Sequence, residues 1–170
     1  MHVPSVVIVG AGFGGLRVAR GLKNVPARVV LIDRFNHHLF QPLLYQVATA
    51  ALSPADIAYP VRSIFRRQAN VEVVMAEVTG IDTASKAVIG PTQPLLYDYL
   101  VLATGSVYNY FGNDQWAQHA LSLKSIADAT EIRQKILMSF EEAEIEVDPQ
   151  KRAQLLTFVL VGGGPTGVEM

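Results

Sequence analysis

A short run of apolar residues ends in a cluster of glycines near the start of the chain. The four β-branched residues Val6-Val7-Ile8-Val9 are typical of a parallel strand that is buried on both faces. The next segment, residues 16–22, has the apolar spacing of a helix that packs one side against such a strand. A strand, a tight glycine turn and a helix in this order predict an α/β fold with a parallel sheet.

The glycines at positions 10, 12 and 15 have the spacing of a phosphate-binding turn. In such a turn Gly10 allows the sharp bend, Gly12 lets the backbone approach a pyrophosphate, and Gly15 lets the helix pack closely on the strand. The N–H groups at the start of the helix would then face the phosphates. Glycine turns also occur for steric reasons alone. However, the next apolar run ends at Asp33, where dinucleotide-binding folds place the acid that binds a ribose, so the sequence favours dinucleotide binding.

Composition excludes several other classes of protein. The 170 residues carry a net charge of −1, which gives no electrostatic footprint for nucleic acid. No apolar run reaches the roughly 18 residues of a membrane span, and residues 1–4 lack the basic start of a signal peptide, so we expect a cytoplasmic protein.

With no cysteine, the sequence has no disulfide, thiolate zinc site or redox dithiol. The adjacent His37 and His38 lack a third ligand, so we expect no metal site.

Further short apolar runs predict more strands downstream of Asp33. Residues 97–105 resemble a buried strand that ends at Thr104 and Gly105, where a strand meets the ligand crevice of an α/β sheet. The strands before it, together with a break that contains Pro91, predict a small antiparallel insertion. These predicted strands are residues 71–75, 76–82 and 87–89.

Two stretches carry helix-start signals. Ser53 is predicted to cap a helix that restarts or kinks at Pro60, and Ser125 opens a long helix that ends at Asp148-Pro149. The outward arginines of the first stretch are interpreted as a solvated face rather than a binding patch. They are Arg62, Arg66 and Arg67.

Residues 34–50 are too irregular for a regular element and too apolar for a solvent loop. Long ordered loops of this kind are usually functional. One interpretation is a loop packed into the core, with His37 and His38 at its solvent end. The other is a segment that covers a planar ring ligand, and the sequence leaves both open.

A second glycine turn follows the apolar residues 155–161, which predict a strand like the first. Its glycines, Gly162, Gly164 and Gly167, repeat the spacing of the first turn. Two such turns in one chain are stronger evidence for dinucleotide binding than one. Because the sequence ends soon afterwards at Met170, we expect this chain to be the amino-terminal part of a longer protein.

Two dinucleotide fingerprints, separated by a strand that ends in Ala103-Thr104-Gly105, resemble the pyridine nucleotide:disulfide oxidoreductase superfamily. Within it the sequence is most similar to the type II NADH dehydrogenases, the single-subunit NADH:quinone oxidoreductases. The resemblance implies a Rossmann-like FAD-binding domain over residues 1–111, incomplete because its last strand is missing, and the start of an NADH-binding domain over residues 112–170. Four stretches carry it: residues 9–16, 37–48, 52–57 and 161–169.

The resemblance also assigns roles to individual residues. The FAD pyrophosphate would be bound by Gly10, Gly12, Phe13, Gly14 and Gly15. Asp33 would bind the adenosine ribose, with Arg34 beside it among the cofactor-binding residues, and Val78 would contact the adenine. The flavin would be lined by Ala103, Thr104 and Gly105, and the residues near its isoalloxazine ring would be Gln41, Pro42, Leu43 and Tyr45. Gly162, Gly164 and Gly167 would hold the NADH pyrophosphate. Glu169 resembles the acid that the family holds near nicotinamide and flavin, although a first-turn acid favoured by the helix dipole is the alternative.

The implied activity is hydride transfer from NADH to FAD, followed by transfer of two electrons to a membrane quinone. The lack of cysteine separates the chain from the disulfide reductases and the sulfide:quinone reductases of the superfamily. We expect peripheral association with the cytoplasmic face of a membrane through a missing carboxyl-terminal part, a possible homodimer, and no activity from these 170 residues alone. The alternatives are a ferredoxin or rubredoxin reductase and a non-catalytic dinucleotide-binding sensor.

Overall fold

The computed structural model describes residues 2–90 and 93–170, which divide into two compact units. The first comprises the described residues of Met1–His38 and Ala58–Ser106, and the second comprises Leu39–Ile57 and Val107–Met170. Each unit contains its own cluster of buried apolar side chains. Pro91, in the predicted break before the strand over residues 97–105, lies outside the described residues.

The regular elements are mostly short. The strands are β1 (Ser5–Val9), β2 (Arg28–Asp33), β3 (His37–Leu39), β4 (Ala58–Pro60), β5 (Val71–Met75), β6 (Gly80–Asp82), β7 (Ala87–Ile89), β8 (Leu95–Leu96) and β9 (Tyr99–Leu102). The α-helices are α1 (Phe13–Gly21), α2 (Leu44–Ala48), α3 (Pro54–Ile57), α4 (Val61–Phe65), α5 (Ile126–Ile145), α6 (Pro149–Leu155) and α7 (Pro165–Glu169), with 3-10 turns at Gln41–Leu43 and Asp114–Gln118. None of the helices in the described part of the chain is both long and apolar enough to cross a membrane.

The first unit is built on a parallel sheet with the strand order β5-β2-β1-β9. Strand β1 pairs in parallel with β2 on one side and with β9 on the other. Because the order of the strands changes direction between β1 and β9, the crevice for a ligand is expected at the carboxyl ends of these two strands. The predicted α/β fold with a parallel sheet is confirmed.

Strands β1 and β2 are buried on both faces, which explains their continuous apolar runs. Strand β9 is shorter than the buried strand predicted over residues 97–105 and is partly exposed, because it lies at the edge of the sheet. Helices α1 and α4 pack against one face through Leu16 and Phe65. The other face packs against Ala76 and Val88, of which Val88 belongs to the antiparallel sheet β6-β7-β8. The predicted antiparallel insertion is therefore present, and it forms a third layer of the first unit.

Two predicted segments differ from the structure in their local conformation. Residues 34–50 contain β3, a 3-10 turn and α2, although the sequence predicted no regular element there. These elements are too short to show a periodic pattern, and β3 exists only because it pairs with β4. Of the strand predicted over residues 76–82, only the last three residues form a strand, β6, because only these residues pair with β7.

The strand predicted over residues 155–161 is also wrong. Asp148 accepts hydrogen bonds from the backbone of Gln150 and Lys151 and caps α6, with Pro149 in the first turn. This helix extends to Leu155, while α5 ends earlier than predicted, at Ile145. The apolar residues that follow form no strand pairing with any other described residue, and Val161 is 87% exposed. A strand requires a hydrogen-bonded neighbour as well as β-branched residues.

The second unit is organised around the long helix α5. Its apolar core contains Ala129 together with Leu44 and Val47 of α2. The helix begins with the predicted capping box, in which Ser125 Oγ accepts from the backbone N–H of Asp128, and Asp128 accepts from the N–H of Ser125 in return. This reciprocal pair fixes the first residue of the helix.

The capping carboxylate of Asp128 makes the stability of this unit depend on pH. Burial raises the pKa of Asp128, but hydrogen bonds from Lys124, Ser125 and Ser122 together outweigh it and hold the pKa below its usual value. Ionisation therefore stabilises the folded state above about pH 4, and this contribution is lost as the pH falls through the lowered pKa.

We expect Asp128→Asn to lower the free energy of unfolding by about 1 kcal/mol at pH 7, because an amide cannot accept all of these bonds. The difference from the native protein should shrink below about pH 4. Urea unfolding across this pH range measures both effects. Glu141→Gln, an exposed change of the same charge in the same helix, is the control, and an equal loss in both variants would contradict the capping role.

Candidate dinucleotide-binding turns

The first glycine turn lies at the carboxyl end of β1, beside the end of β9. Gly10 has a φ of +105°, a backbone conformation that residues other than glycine rarely adopt. A Cβ atom at Gly10 would collide with the carbonyl oxygen of Ala103. The backbone N–H of Gly10 donates to the carbonyl of Ile32 at 2.8 Å. Glycine is therefore required at position 10, where the end of β1 meets the end of β9.

The second half of the turn leads directly into α1. Gly12 is the N-cap residue, and the N–H of Leu16 donates to its carbonyl at 3.0 Å. A Cβ atom at Gly15 would collide with the carbonyl oxygen of Gly10, so Gly15 allows the helix to lie against the strand end. Gly12, in contrast, has open space around it. The helix thus begins at an exposed backbone segment, which is the geometry that binds phosphate.

Asp33 connects the end of β2 to this turn. Its carboxylate accepts from the N–H of Ala11 at 2.6 Å and from the N–H of Phe35 at 2.8 Å. A carboxylate can accept about four hydrogen bonds, so capacity is left for a ribose hydroxyl. Arg34 is exposed, with its guanidinium 5.0 Å from the centre of the Phe35 ring. The structure therefore gives Asp33 a role in ordering the turn, in addition to its predicted contact with a ribose.

His38 also supports the turn, a role that sequence patterns did not predict. Its Nδ1 lies 3.0 Å from the carbonyl oxygen of Ala11, and its ring lies edge-on to Phe13 at 5.0 Å. Because a carbonyl only accepts, Nδ1 carries the proton. The interpretation that placed His38 at the solvent end of a loop is corrected, since the ring is half-buried. No local spacing encodes a contact between residues so far apart in the chain.

The remaining predicted FAD contacts of the first unit lie in two places. Three of them follow β9 at the same end of the sheet, and the fourth packs against the apolar cluster on one face of the sheet. The N–H of Ala103 donates to the carbonyl of Val9 at 2.8 Å, which aligns the end of β9 with that of β1. Thr104 and Gly105 follow directly and are exposed, and Gly105 has a φ of +73°. Val78 is half-buried and packs against the apolar cluster on the other face of the sheet.

The second glycine turn reproduces the backbone geometry of the first. Gly162 has a φ of +109°, and a Cβ atom at Gly167 would collide with the carbonyl oxygen of Gly162. Gly164 is the N-cap residue of α7, and the N–H of Val168 donates to its carbonyl at 3.1 Å. Gly164, like Gly12, has open space around it. The two turns are equivalent in structure, although only the first follows a paired strand.

Residues 41–45, which the resemblance places near the isoalloxazine ring, belong to the second unit. Leu44 is buried in the core beneath α5, and Leu43 packs beside it. Gln41 and Pro42 are exposed, and the side-chain amide of Gln41 donates to the carbonyl of Lys124 at 3.2 Å. The hydroxyl of Tyr45 accepts from the neighbouring Gln46 amide at 2.9 Å. Part of this segment therefore belongs to the apolar core of the second unit. Contact of its exposed residues with the cofactor stays a prediction.

Glu169 is exposed in the last turn of α7. It belongs to the second unit together with Gly162, Gly164 and Gly167, whereas the first glycine turn, Asp33 and Ala103 belong to the first unit. Within residues 2–90 and 93–170, no three side chains of His, Asp or Glu come together in a way that could hold a metal ion.

A parallel sheet that carries a glycine turn at its switch point, with a second turn of the same geometry, defines a protein of the Rossmann dinucleotide-binding class. The family model for pyridine nucleotide-disulphide oxidoreductases matches residues 4–170. The chain belongs to this family, as the fingerprints predicted.

Individual relatives agree with this assignment. The type II NADH:quinone oxidoreductase Ndh of Mycobacterium tuberculosis is 52% identical over 169 residues, which are 97% of this chain and 36% of that protein. NDH2 from Plasmodium falciparum in complex with RYL-552 superposes with a TM-score of 0.88 at 28% identity, over 99% of this chain and 36% of that one. NDH2 from the same organism in complex with NADH gives a TM-score of 0.77 at 25% identity, over 89% and 32%. The chain thus spans about a third of the length of these relatives, and the resemblance to type II NADH dehydrogenases is confirmed.

Proposed function

We propose that this chain forms the FAD-binding part, and the beginning of the NADH-binding part, of an NADH:quinone oxidoreductase. The observation that carries the proposal is the pair of glycine turns, whose first glycines have φ values of +105° and +109° and whose last glycines contact the carbonyl of the first in the same way. Two turns of this kind suit two dinucleotides. The names of the similar proteins, which are NADH:quinone oxidoreductases, support the same activity.

The first turn fits a dinucleotide such as FAD. Gly12 has open space above it, Gly14 is exposed, and both lie at the start of a nine-residue helix whose dipole favours an anion. Asp33 retains acceptor capacity at the end of the neighbouring strand. This combination matches a pyrophosphate next to a ribose.

In the proposed reaction this chain binds and aligns the reactants. Gly12 and Gly14 hold the FAD pyrophosphate through their backbone, and Asp33 orients the ribose. Ala103, Thr104 and Gly105 line the flavin, and Gly164 receives the NADH pyrophosphate. When bound at these residues, FAD would supply the redox chemistry, namely uptake of a hydride from NADH and transfer of two electrons to a quinone. Glu169 is proposed to position the nicotinamide, since alignment of the two rings is the main contribution that the protein can make.

The full-length gene product that contains this chain provides the test. Under anaerobic conditions the absorbance of bound flavin is followed during addition of NADH and then of a short-chain quinone. We expect bleaching by NADH and prompt reoxidation by the quinone. Reoxidation only by a small electron-transfer protein would indicate a ferredoxin or rubredoxin reductase instead. A preparation without flavin would refute the proposal and favour a dinucleotide-binding sensor.

The proposal includes peripheral association with the cytoplasmic face of a membrane, and a homodimer. Support for the membrane comes from the quinone named for the similar proteins. Fractionation of cells in high salt and at alkaline pH tests the membrane association, and sedimentation of the detergent-solubilised protein tests the dimer.

A further inference from the structure

Two segments that pack on one face of the parallel sheet contain cationic side chains and no acidic ones. Helices α1 and α4 both pack on the same cluster of the parallel sheet. Residues 13–27, which include α1, and residues 58–70, which include α4, contain no aspartate or glutamate. The cations of these two segments are Arg17, Arg20, Lys23, Arg62, Arg66 and Arg67. A surface with this charge distribution attracts anions.

The two segments are held together by polar contacts as well as by the apolar cluster. The side chain of Gln68, which is only 9% exposed, donates to the carbonyl of Ala19 in α1 at 2.8 Å. The side chain of Asn70 donates to the carbonyl of Leu22 at 2.9 Å. The arginines of the two segments are therefore attached to one connected framework.

A cavity of about 420 Å³ opens on this face. Three arginines contribute to its lining, one from α1 and two from the residues that directly follow α4, and no carboxylate does. None of the ion pairs found in the described part of the chain involves these arginines. The lining residues are Arg20, His38, Tyr59, Ser63, Ile64, Arg66 and Arg67.

We propose that this cavity is a binding site for a phosphate-bearing anion, held by Arg20, Arg66 and Arg67. Guanidinium groups present several N–H donors in a plane and match phosphate oxygens in pairs. The hydroxyls of Tyr59 and Ser63 supply further donors at the same cavity. Three cations around one cavity repel each other, and an anion relieves this repulsion. None of the glycines of the two turns lines the cavity.

The test compares two double variants of the full-length protein that remove the same charge. Arg66→Gln with Arg67→Gln changes the cavity. Arg17→Gln with Arg62→Gln changes the same two helices outside it, because neither residue lines the cavity. Binding of inorganic pyrophosphate is measured by titration calorimetry at low salt, and binding to vesicles of phosphatidylcholine is measured with and without phosphatidylglycerol.

We expect saturable binding of pyrophosphate that weakens at least about tenfold in the cavity variant and changes little in the control. If phosphatidylglycerol vesicles also bind and pyrophosphate displaces them, the phosphate belongs to a lipid headgroup. Binding of pyrophosphate without binding of vesicles identifies a free phosphate compound. Equal weakening in both double variants, or no cavity-dependent binding of either probe, would overturn the proposal. Unchanged flavin content in both variants confirms that folding is intact.

Discussion

Replacing Gly10 with alanine is expected to lower the free energy of unfolding by about 2–4 kcal/mol. The residue has a φ of +105°, where an added Cβ is strained, and that Cβ would also collide with the carbonyl oxygen of Ala103. Because Gly10 joins the ends of β1 and β9, the clash cannot be relieved without separating the two strands. Urea unfolding followed by circular dichroism measures the loss.

Two further alanine variants separate steric collision from the general effect of removing a glycine. Gly15→Ala should be about as damaging, since its Cβ meets the carbonyl of Gly10. Gly21→Ala, at the end of the same helix with open space around it, should be neutral or slightly stabilising, by up to about 1 kcal/mol. A Gly10→Ala protein as stable as Gly21→Ala would refute the close contact between Gly10 and Ala103.

Replacing Gly12 with valine is expected to leave the fold intact but to abolish stable binding of flavin. No atom lies within 4 Å of a Cβ built at Gly12, and the residue has an extended backbone with a φ of −74°. The folded protein should therefore tolerate the side chain, which would occupy the space proposed for the pyrophosphate. Loss of a charge-assisted hydrogen bond to phosphate corresponds to a weakening of roughly 10- to 100-fold. Flavin content after purification and the unfolding transition are the two measurements.

The equivalent change in the second turn provides the matched control. Gly164 has the same open environment and the same N-cap position as Gly12. We expect Gly164→Val to retain a full complement of flavin but to require much more NADH to bleach it. The opposite result, with flavin lost in Gly164→Val and retained in Gly12→Val, would show that the second turn binds FAD and the first binds NADH. Loss of flavin in both variants would show that the turns do not act separately.

Elements that depend on neighbouring residues were predicted well from the sequence. Continuous β-branched residues specify a strand buried on both faces, and β1 and β2 form such strands. The capping box at Ser125 and the glycine spacing of both turns were also predicted, because their partners lie within a few positions. The cofactor roles of the glycines stay predictions, whereas their backbone conformation is now known.

Features that depend on residues far apart in the chain could be known only from the folded arrangement. The residues predicted as a last strand, 155–161, are apolar enough for one, but pairing requires a neighbouring strand, and α6 takes the first of them. One of the two interpretations of residues 34–50 placed His38 at the solvent end of a loop, yet this residue supports the glycine turn through the carbonyl of Ala11, 27 positions away.

The sequence predicted a solvated face for Arg62, Arg66 and Arg67. Two of them, Arg66 and Arg67, line a cavity with Arg20, because α1 and α4 pack on the same face of one sheet. Local spacing in the sequence was enough to predict the class of fold and the two glycine turns. The surroundings of the turns and the basic cavity were decided by contacts between segments that the sequence does not place next to each other.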